Sequence, residues 1–213
     1  MRITCLHTAA SNIAVFDTAA KTLGLGPNVV RHEVRADLLA AAEQAGSLTA
    51  EIAASTASAL LALARHADAV VLTCSTLGPA VELIAPGTQV PILRADAALA
   101  VTAVQAEGKI VVLCAVKTTL APTSELFQAA ALCANASIEV QWVNGAWDRF
   151  KAGDINGYLA MVAQAADQAY EDGASLVVLA QASMSSAASQ VTAGPPPLSS
   201  ATAGLAAAIQ AIG

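Results

Sequence analysis

Cys74 stands where a thiol can do chemistry. It follows the apolar run Val70, Val71 and Leu72 after a single threonine, and Ser75, Thr76 and Gly78 come directly behind it. A strand that ends in small, hydroxyl-bearing residues and runs into a helix turns its free backbone N–H groups toward whatever sits at the turn. A thiol there can be drawn toward thiolate from its usual value of about 8.5, and a thiolate serves as general base or nucleophile. The competing role is that of an inert buried thiol, the common fate of free cysteine. Cys5, Cys114 and Cys133 fit that role, since each falls inside an apolar strand or helix pattern.

Three further segments leave apolar runs in the same way: residues 8–12, Thr118 with Thr119, and residues 181–183. Ser11, Asn12, Ser75 and Thr76 on one side, and Thr118, Thr119, Gln181 and Ser183 on the other, are the candidate ligand-binding residues. Their side chains and the N–H groups around them suit a small carboxylate. The plainer role for Ser, Thr and Asn at such places is helix capping. Lys117 lies beside one of these loops and is a possible proton donor, although a solvated lysine is the simpler account. Asp96 reads as a helix cap and His7 as a partner for a neighbouring loop; capping and packing account for Asp154 and Tyr158.

The elements that must position these residues alternate along the chain. Strand-like apolar runs fall at 3–6, 29–34, 69–72, 90–93, 109–113, 138–143, 176–179 and 197–198. Alanine-rich stretches at 37–45, 49–65, 96–105, 122–134 and 154–171 have the length and composition of helices. Thr49 and Asp154 are acceptable N-caps, Gly108 and Gly173 stand just before strands where a helix must stop, and residues 194–197 (GPPP) read as a rigid loop. Strands separated by helices of this length imply βαβ units and a parallel, doubly wound sheet.

An internal repeat refines this to an α/β fold of two similar halves. Residues 70–76 (VVLTCST) resemble residues 177–183 (VVLAQAS), which sets Cys74 against Gln181, 107 positions on. The same offset sets Ile3 against Ile110, Leu6 against Leu113, Ser11 against Thr118 and Asn12 against Thr119. The expectation is two pseudo-symmetric doubly wound parallel-sheet lobes, residues 1–95 with 200–213 and residues 96–199, with the ligand in the cleft between them.

Bulk properties narrow the partners. The 213 residues are 56% hydrophobic and only 12% charged, which excludes a disordered chain and leaves ample material for a core. No run reaches the roughly 18 apolar residues of a spanning helix, and Thr4, His7 and Thr8 interrupt any signal-peptide core, so a cytoplasmic location is expected. A net charge of −6 with ten scattered basic residues argues against nucleic acid or an anionic membrane as partner. Four cysteines without a C-x-x-C pair and three isolated histidines argue against a disulfide framework and against a metal site.

Residues 70–79 (VVLTCSTLGP) resemble the first catalytic-cysteine loop of the aspartate/glutamate/hydantoin racemase superfamily. Residues 92–100 (ILRADAALA), 118–123 (TTLAPT), 178–184 (VLAQASM) and 197–200 (PLSS) are similar to segments of its less characterised branches, in order along nearly the whole chain. The resemblance implies two pseudo-symmetric lobes, a small carboxylate substrate, no metal or pyridoxal cofactor, and a homo-oligomer. It also implies two cysteines working on opposite faces of the substrate α-carbon, with hydrogen-bonding loops stabilising the enolate-like intermediate. By this resemblance Cys74 is the first cysteine. The sequence departs at the second, where Gln181 stands, and an amide cannot exchange protons at neutral pH. The resulting expectation is a racemase-like isomerase acting on an amino-acid- or hydantoin-like compound. The alternatives are a one-thiol decarboxylase or lyase of the arylmalonate type, or a protein that binds a small carboxylate without turnover.

Overall fold

A computed structural model describes residues 1–85, 87–132 and 134–213, so Cys133 lies outside the described residues. The chain divides into two compact lobes, Met1–Ala98 with Ala201–Gly213, and Leu99–Ser200.

The first lobe runs β1 (Ile3–His7), α1 (Asn12–Thr22), β2 (Val30–Val34), α2 (Ala36–Ala45), α3 (Ala50–Ala64), β3 (Ala69–Leu72), a 3-10 helix (Gly78–Leu83), β4 (Ile92–Arg94) and the start of α4 (Ala95–Ala103). The second runs β5 (Gly108–Cys114), a 3-10 turn (Lys117–Thr119), α5 (Leu120–Ala131), β6 (Ala136–Trp142), α6 (Ala146–Lys151), α7 (Ile155–Glu171), β7 (Leu176–Leu179), a 3-10 helix (Ala182–Gln190) and β8 (Leu198–Ser199). Helix α8 (Ser200–Ile212) returns the chain to the first lobe.

Each lobe holds a four-stranded sheet, in order β2-β1-β3-β4 and β6-β5-β7-β8, and every pairing is parallel. The central strands explain the apolar runs. All five residues of β1 and all four of β3 are buried, as strands covered on both faces must be. The edge strands β2 and β6 alternate instead, turning Arg31, Glu33 and Glu139 to solvent. Leu6, Leu38, Leu60 and Leu72 centre the first core; Leu113, Tyr158, Val162 and Leu179 centre the second.

The repeat extends to the hydrogen-bonded register. Ile3 pairs with Ala69 in one sheet and Ile110 with Leu176 in the other. Thr73 donates its N–H to the Leu6 carbonyl at 3.1 Å, and Ala180 donates to Leu113 at 3.1 Å. Both pairs of contacts keep the 107-residue offset read from the sequence.

The caps follow the sequence signals. Thr49 accepts from the Ile52 N–H at 3.4 Å and Asp154 from the Gly157 N–H at 2.9 Å. Gly108 and Gly173 hold φ of +90° and +87°, the left-handed conformation that ends a helix before a strand. Helices α1, α6 and α8 lie outside the alanine-rich stretches marked above, and β4 falls two residues later at its start than the apolar pattern suggests. No described helix is long and apolar enough to cross a membrane.

The loop 194–197 is tied down by Tyr170, whose hydroxyl donates to the Pro195 carbonyl at 2.8 Å and accepts from the Val177 N–H at 3.1 Å. Tyr170→Phe strands that N–H at the start of β7. The expected loss is about 1–3 kcal/mol, read as a lower denaturation midpoint at unchanged slope; an unchanged midpoint would show that the loop does not depend on this bond.

Candidate active site

In the first lobe the chain crosses from β1 to β2 on one side of β1, then returns to β3 on the other. Where the winding direction reverses, a crevice opens beyond the carboxyl ends of the two neighbouring strands. Those neighbours are β1 and β3. Their last paired residues are Leu6 and Leu72, so the register carried forward sets His7 against Thr73 and Thr8 against Cys74.

The Thr8 hydroxyl hydrogen-bonds the Cys74 thiol, and the N–H groups of Leu77 and Thr76 reach the same sulfur. All three favour thiolate. Burial works the other way and is the largest influence, and the Asp96 carboxylate adds to it, so the thiol is raised above its ordinary value. This corrects the expectation of a lowered thiol. The helix after Cys74 is a six-residue 3-10 helix that begins only at Gly78, so no α-helix dipole is aimed at the sulfur. Cys74 as a residue is half-buried, whereas Cys5 and Cys114 are wholly buried. Burial pushes the Cys114 thiol up to about 12 and raises Cys5 further.

The other first-lobe candidates divide by environment. Ser75 and Thr76 are buried and each is engaged. Ser11 holds the N-cap position of α1 but makes no capping hydrogen bond with its side chain, and it is exposed. Asn12 is buried, and its Oδ1 has no hydrogen-bond partner among the described residues. An unanswered buried acceptor costs about 1–3 kcal/mol, a cost that a ligand N–H can offset.

Arg94 and Asp96 form a feature that spacing alone did not reveal. The Arg94 guanidinium grips the buried Asp96 carboxylate with two bonds of 3.0 Å. It also lies against Gly78, so closely that a Cβ there would collide with it. Asp96 does serve its own helix, accepting from the Ala97 N–H at 2.9 Å, but it also bears on the Cys74 thiol. An R-x-D triplet leaving a short strand was the available signal.

In the second lobe the reversal falls between β5 and β7, and Gln181 stands at the equivalent strand end. Its Oε1 accepts from the Ala115 N–H at 2.5 Å and the Val116 N–H at 3.2 Å. The Ala115 carbonyl accepts from Trp142 Nε1 at 3.1 Å, and the Lys117 ammonium lies 5.9 Å over the Trp142 ring. Ser183 Oγ is 2.9 Å from the hydroxyl of the wholly buried Tyr158, which therefore does more than pack. Thr118 and Thr119 belong to the 3-10 turn before α5; Thr119 occupies the N-cap position without a capping bond.

The family model described as Asp/Glu/Hydantoin racemase matches residues 18–208. The chain belongs to that family. Three solved structures illustrate the shared fold. A glutamate racemase from Bacillus anthracis is 16% identical, with a TM-score of 0.71 over 100% of this chain and 82% of that one. The aspartate racemase of Picrophilus torridus is 13% identical, with a TM-score of 0.75 over 99% and 93%. An allantoin racemase from Pseudomonas fluorescens is 15% identical, with a TM-score of 0.67 over 100% and 91%. At such identities the likeness is one of fold. No curated protein matches the sequence.

For a racemase-family loop with these contacts, the alkylation rate of Cys74 by iodoacetamide should keep rising with pH beyond the ordinary thiol range. Thr8→Val removes a donor to the thiolate, so the thiol moves further up and the rate at pH 8 falls by about tenfold, the worth of a hydrogen bond to a charged group. Site-resolved mass spectrometry reads this, and an unchanged rate would remove Thr8 from the site.

Proposed function

We propose that this chain is a cofactor-independent isomerase of the racemase type that moves a proton at the carbon next to a carboxylate or carbonyl of a small amino-acid- or hydantoin-like substrate. Cys74 is the acid–base group. One observation carries the reading: the thiol of a half-buried cysteine at the reversal point of a doubly wound sheet, held by the Thr8 hydroxyl and the Thr76 and Leu77 N–H groups. Ser11, Asn12, Ser75 and Thr76 supply hydrogen bonds to the carboxylate and its neighbouring groups, and the unanswered Asn12 Oδ1 suits a substrate N–H. Thr118, Thr119, Gln181 and Ser183 are the second-lobe counterparts.

A second reading is favoured by two observations. Gln181 is a side-chain amide whose oxygen is already engaged by two backbone N–H groups, so it moves no proton. Cys74 is raised, hence protonated at neutral pH, which suits a donor better than a base. Decarboxylation needs one donor only: the bond to the carboxylate breaks, carbon dioxide leaves, its electron pair stays on the α-carbon, and the Cys74 thiol protonates that carbon. The resulting thiolate takes its proton back from solvent.

The test is incubation in deuterated water with amino acids, hydantoins and 2-substituted malonates. Racemase action gives α-deuterium with loss of optical purity; the one-thiol alternative gives carbon dioxide and a singly deuterated product. Cys74→Ser should lower either turnover by about a thousandfold or more. Turnover that survives this change would defeat the Cys74 assignment, and no turnover on the panel would leave a binding protein. Gln181→Cys should raise racemisation if a second thiol is all that is missing.

A further inference from the structure

The first lobe contains a connected set of polar side chains that the reaction above does not use. His7, wholly buried at the end of β1, has Nδ1 2.9 Å from Thr73 Oγ1 and Nε2 2.9 Å from His32 Nδ1. His32 Nε2 lies 3.1 Å from the exposed carboxylate of Asp17. Thr73 Oγ1 is also 3.0 Å from the Leu6 carbonyl oxygen. The chain of contacts thus runs from solvent to the residue immediately before Cys74.

The fold explains why these groups meet. Cys5 pairs with His32 in the β1–β2 register, so His7 and His32 share one face of the sheet and Arg31 and Glu33 turn to the other. Helix α1 covers that face with Phe16, whose ring meets His7 edge-on at 5.0 Å, and with Asp17. The titratable groups around the two imidazoles are therefore Asp17 from α1, against His32, and Cys5 from β1, which pairs with His32 in the register. The other charged residue of α1 is Lys21, one turn beyond Asp17.

Counting protons decides how this chain behaves. It has four links: Leu6 to Thr73, Thr73 to His7, His7 to His32, and His32 to Asp17. Its two ends, a carbonyl and a carboxylate, only accept. With both imidazoles neutral, Thr73, His7 and His32 offer one proton each, so three protons serve four links. A fourth proton completes the chain. Geometry assigns the fourth proton to the imidazole that faces a carboxylate: His32 Nε2 lies 3.1 Å from Asp17 Oδ1, whereas His7 is wholly buried between Phe16, Thr73 and His32. When that proton leaves, the His32–Asp17 link keeps the remaining His32 proton, because a lone pair facing a carboxylate is repelled. His7 must then donate from Nε2, and Thr73 must donate to His7 Nδ1. The Leu6 oxygen is not abandoned, since the Thr73 N–H still reaches it at 3.1 Å.

We propose that Asp17, His32 and His7 are positioning residues for the Cys74 loop, and that one proton bound at His32 sets the direction of the Thr73 hydroxyl. With the proton bound, Thr73 clamps β3 to the Leu6 carbonyl one residue before the Thr8–Cys74 contact. With it lost to solvent, the hydroxyl turns to His7 and the clamp keeps only its backbone bond. The hydrogen-bond chain stands independently of the reaction; its consequence for turnover rests on the Cys74 reading.

The experiment is long-range proton–nitrogen NMR of the imidazoles across pH, with Cys74 alkylation followed in parallel. The expected result is that the single proton of neutral His7 moves from Nδ1 to Nε2 as His32 goes from two ring protons to one. Cys74 alkylation should change by about fivefold across the same midpoint, the size of one hydrogen bond. Asp17→Asn should move that midpoint to lower pH. Thr73→Val should erase the alkylation step while His32 still titrates, and Thr73→Ser should restore it, which a purely structural role would not do. A His7 tautomer that does not respond to His32 would overturn the proposal, as would a His32 titration that Cys74 does not register. If Cys74→Ser leaves turnover intact while the tautomer exchange persists, the catalytic reading fails and the relay stands.

Discussion

The parallel pairing of β1 with β3 is the constraint on which the first lobe's chemistry depends. Its register runs from Ile3 with Ala69 to Leu6 with Leu72. Two residues later it delivers Thr8 to Cys74, and between them it delivers His7 to Thr73 at 2.9 Å. A slip of one residue would turn every side chain of β1 to the opposite face. It would separate the thiol from its hydroxyl and His7 from both of its partners at once. The register is secured by residues with no chemistry of their own. Ile3, Leu6, Val70, Val71 and Leu72 are almost fully buried in this pairing.

The same register recurs in β5 and β7, so the lobes differ mainly in what stands at the strand ends. The Leu77 N–H donates to the Cys74 carbonyl at 3.2 Å and the Met184 N–H to the Gln181 carbonyl at 3.0 Å, in the same backbone turn. On one turn sits a thiol that receives the Thr8 hydroxyl and two N–H groups. On the other sits a longer amide whose oxygen reaches back to two N–H groups of the opposite strand end. Both satisfy the loop. Only the first leaves a group that can exchange a proton.

Much of this was legible because burial on both faces writes itself as unbroken apolar runs. The central strands β3 and β7 match the sequence reading to the residue, and the two-lobe repeat follows from one offset. Cys74 was legible because small polar residues crowd behind an apolar strand. What escaped the reading depends on contacts between residues far apart in sequence. His7 and His32 are 25 positions apart and meet only through the β1–β2 register. Asp96 reads only as a cap until its pairing with Arg94, packed over Gly78, is seen. Helix α1 does not stand out in the sequence because its buried face consists of Asn12, Phe16, Ala19 and Ala20, which is only weakly apolar.

The resting state of the thiol follows from the same geometry. A strand end at a sheet's reversal point brings backbone N–H groups to the sulfur, but it also sinks that sulfur among packed residues. Withdrawal from water disfavours thiolate more than three hydrogen bonds can restore. The Asp96 carboxylate, itself paired with Arg94 at 3.0 Å, opposes the thiolate as well. An α-helix starting directly at Ser75 would have tipped this balance, as helix N-termini do for reactive thiols. The chain instead spends residues 75–77 in a turn and then forms a short 3-10 helix, whose Pro79 removes one further donor. Cys74 is therefore held as a thiol by burial, against the three hydrogen bonds that favour its thiolate.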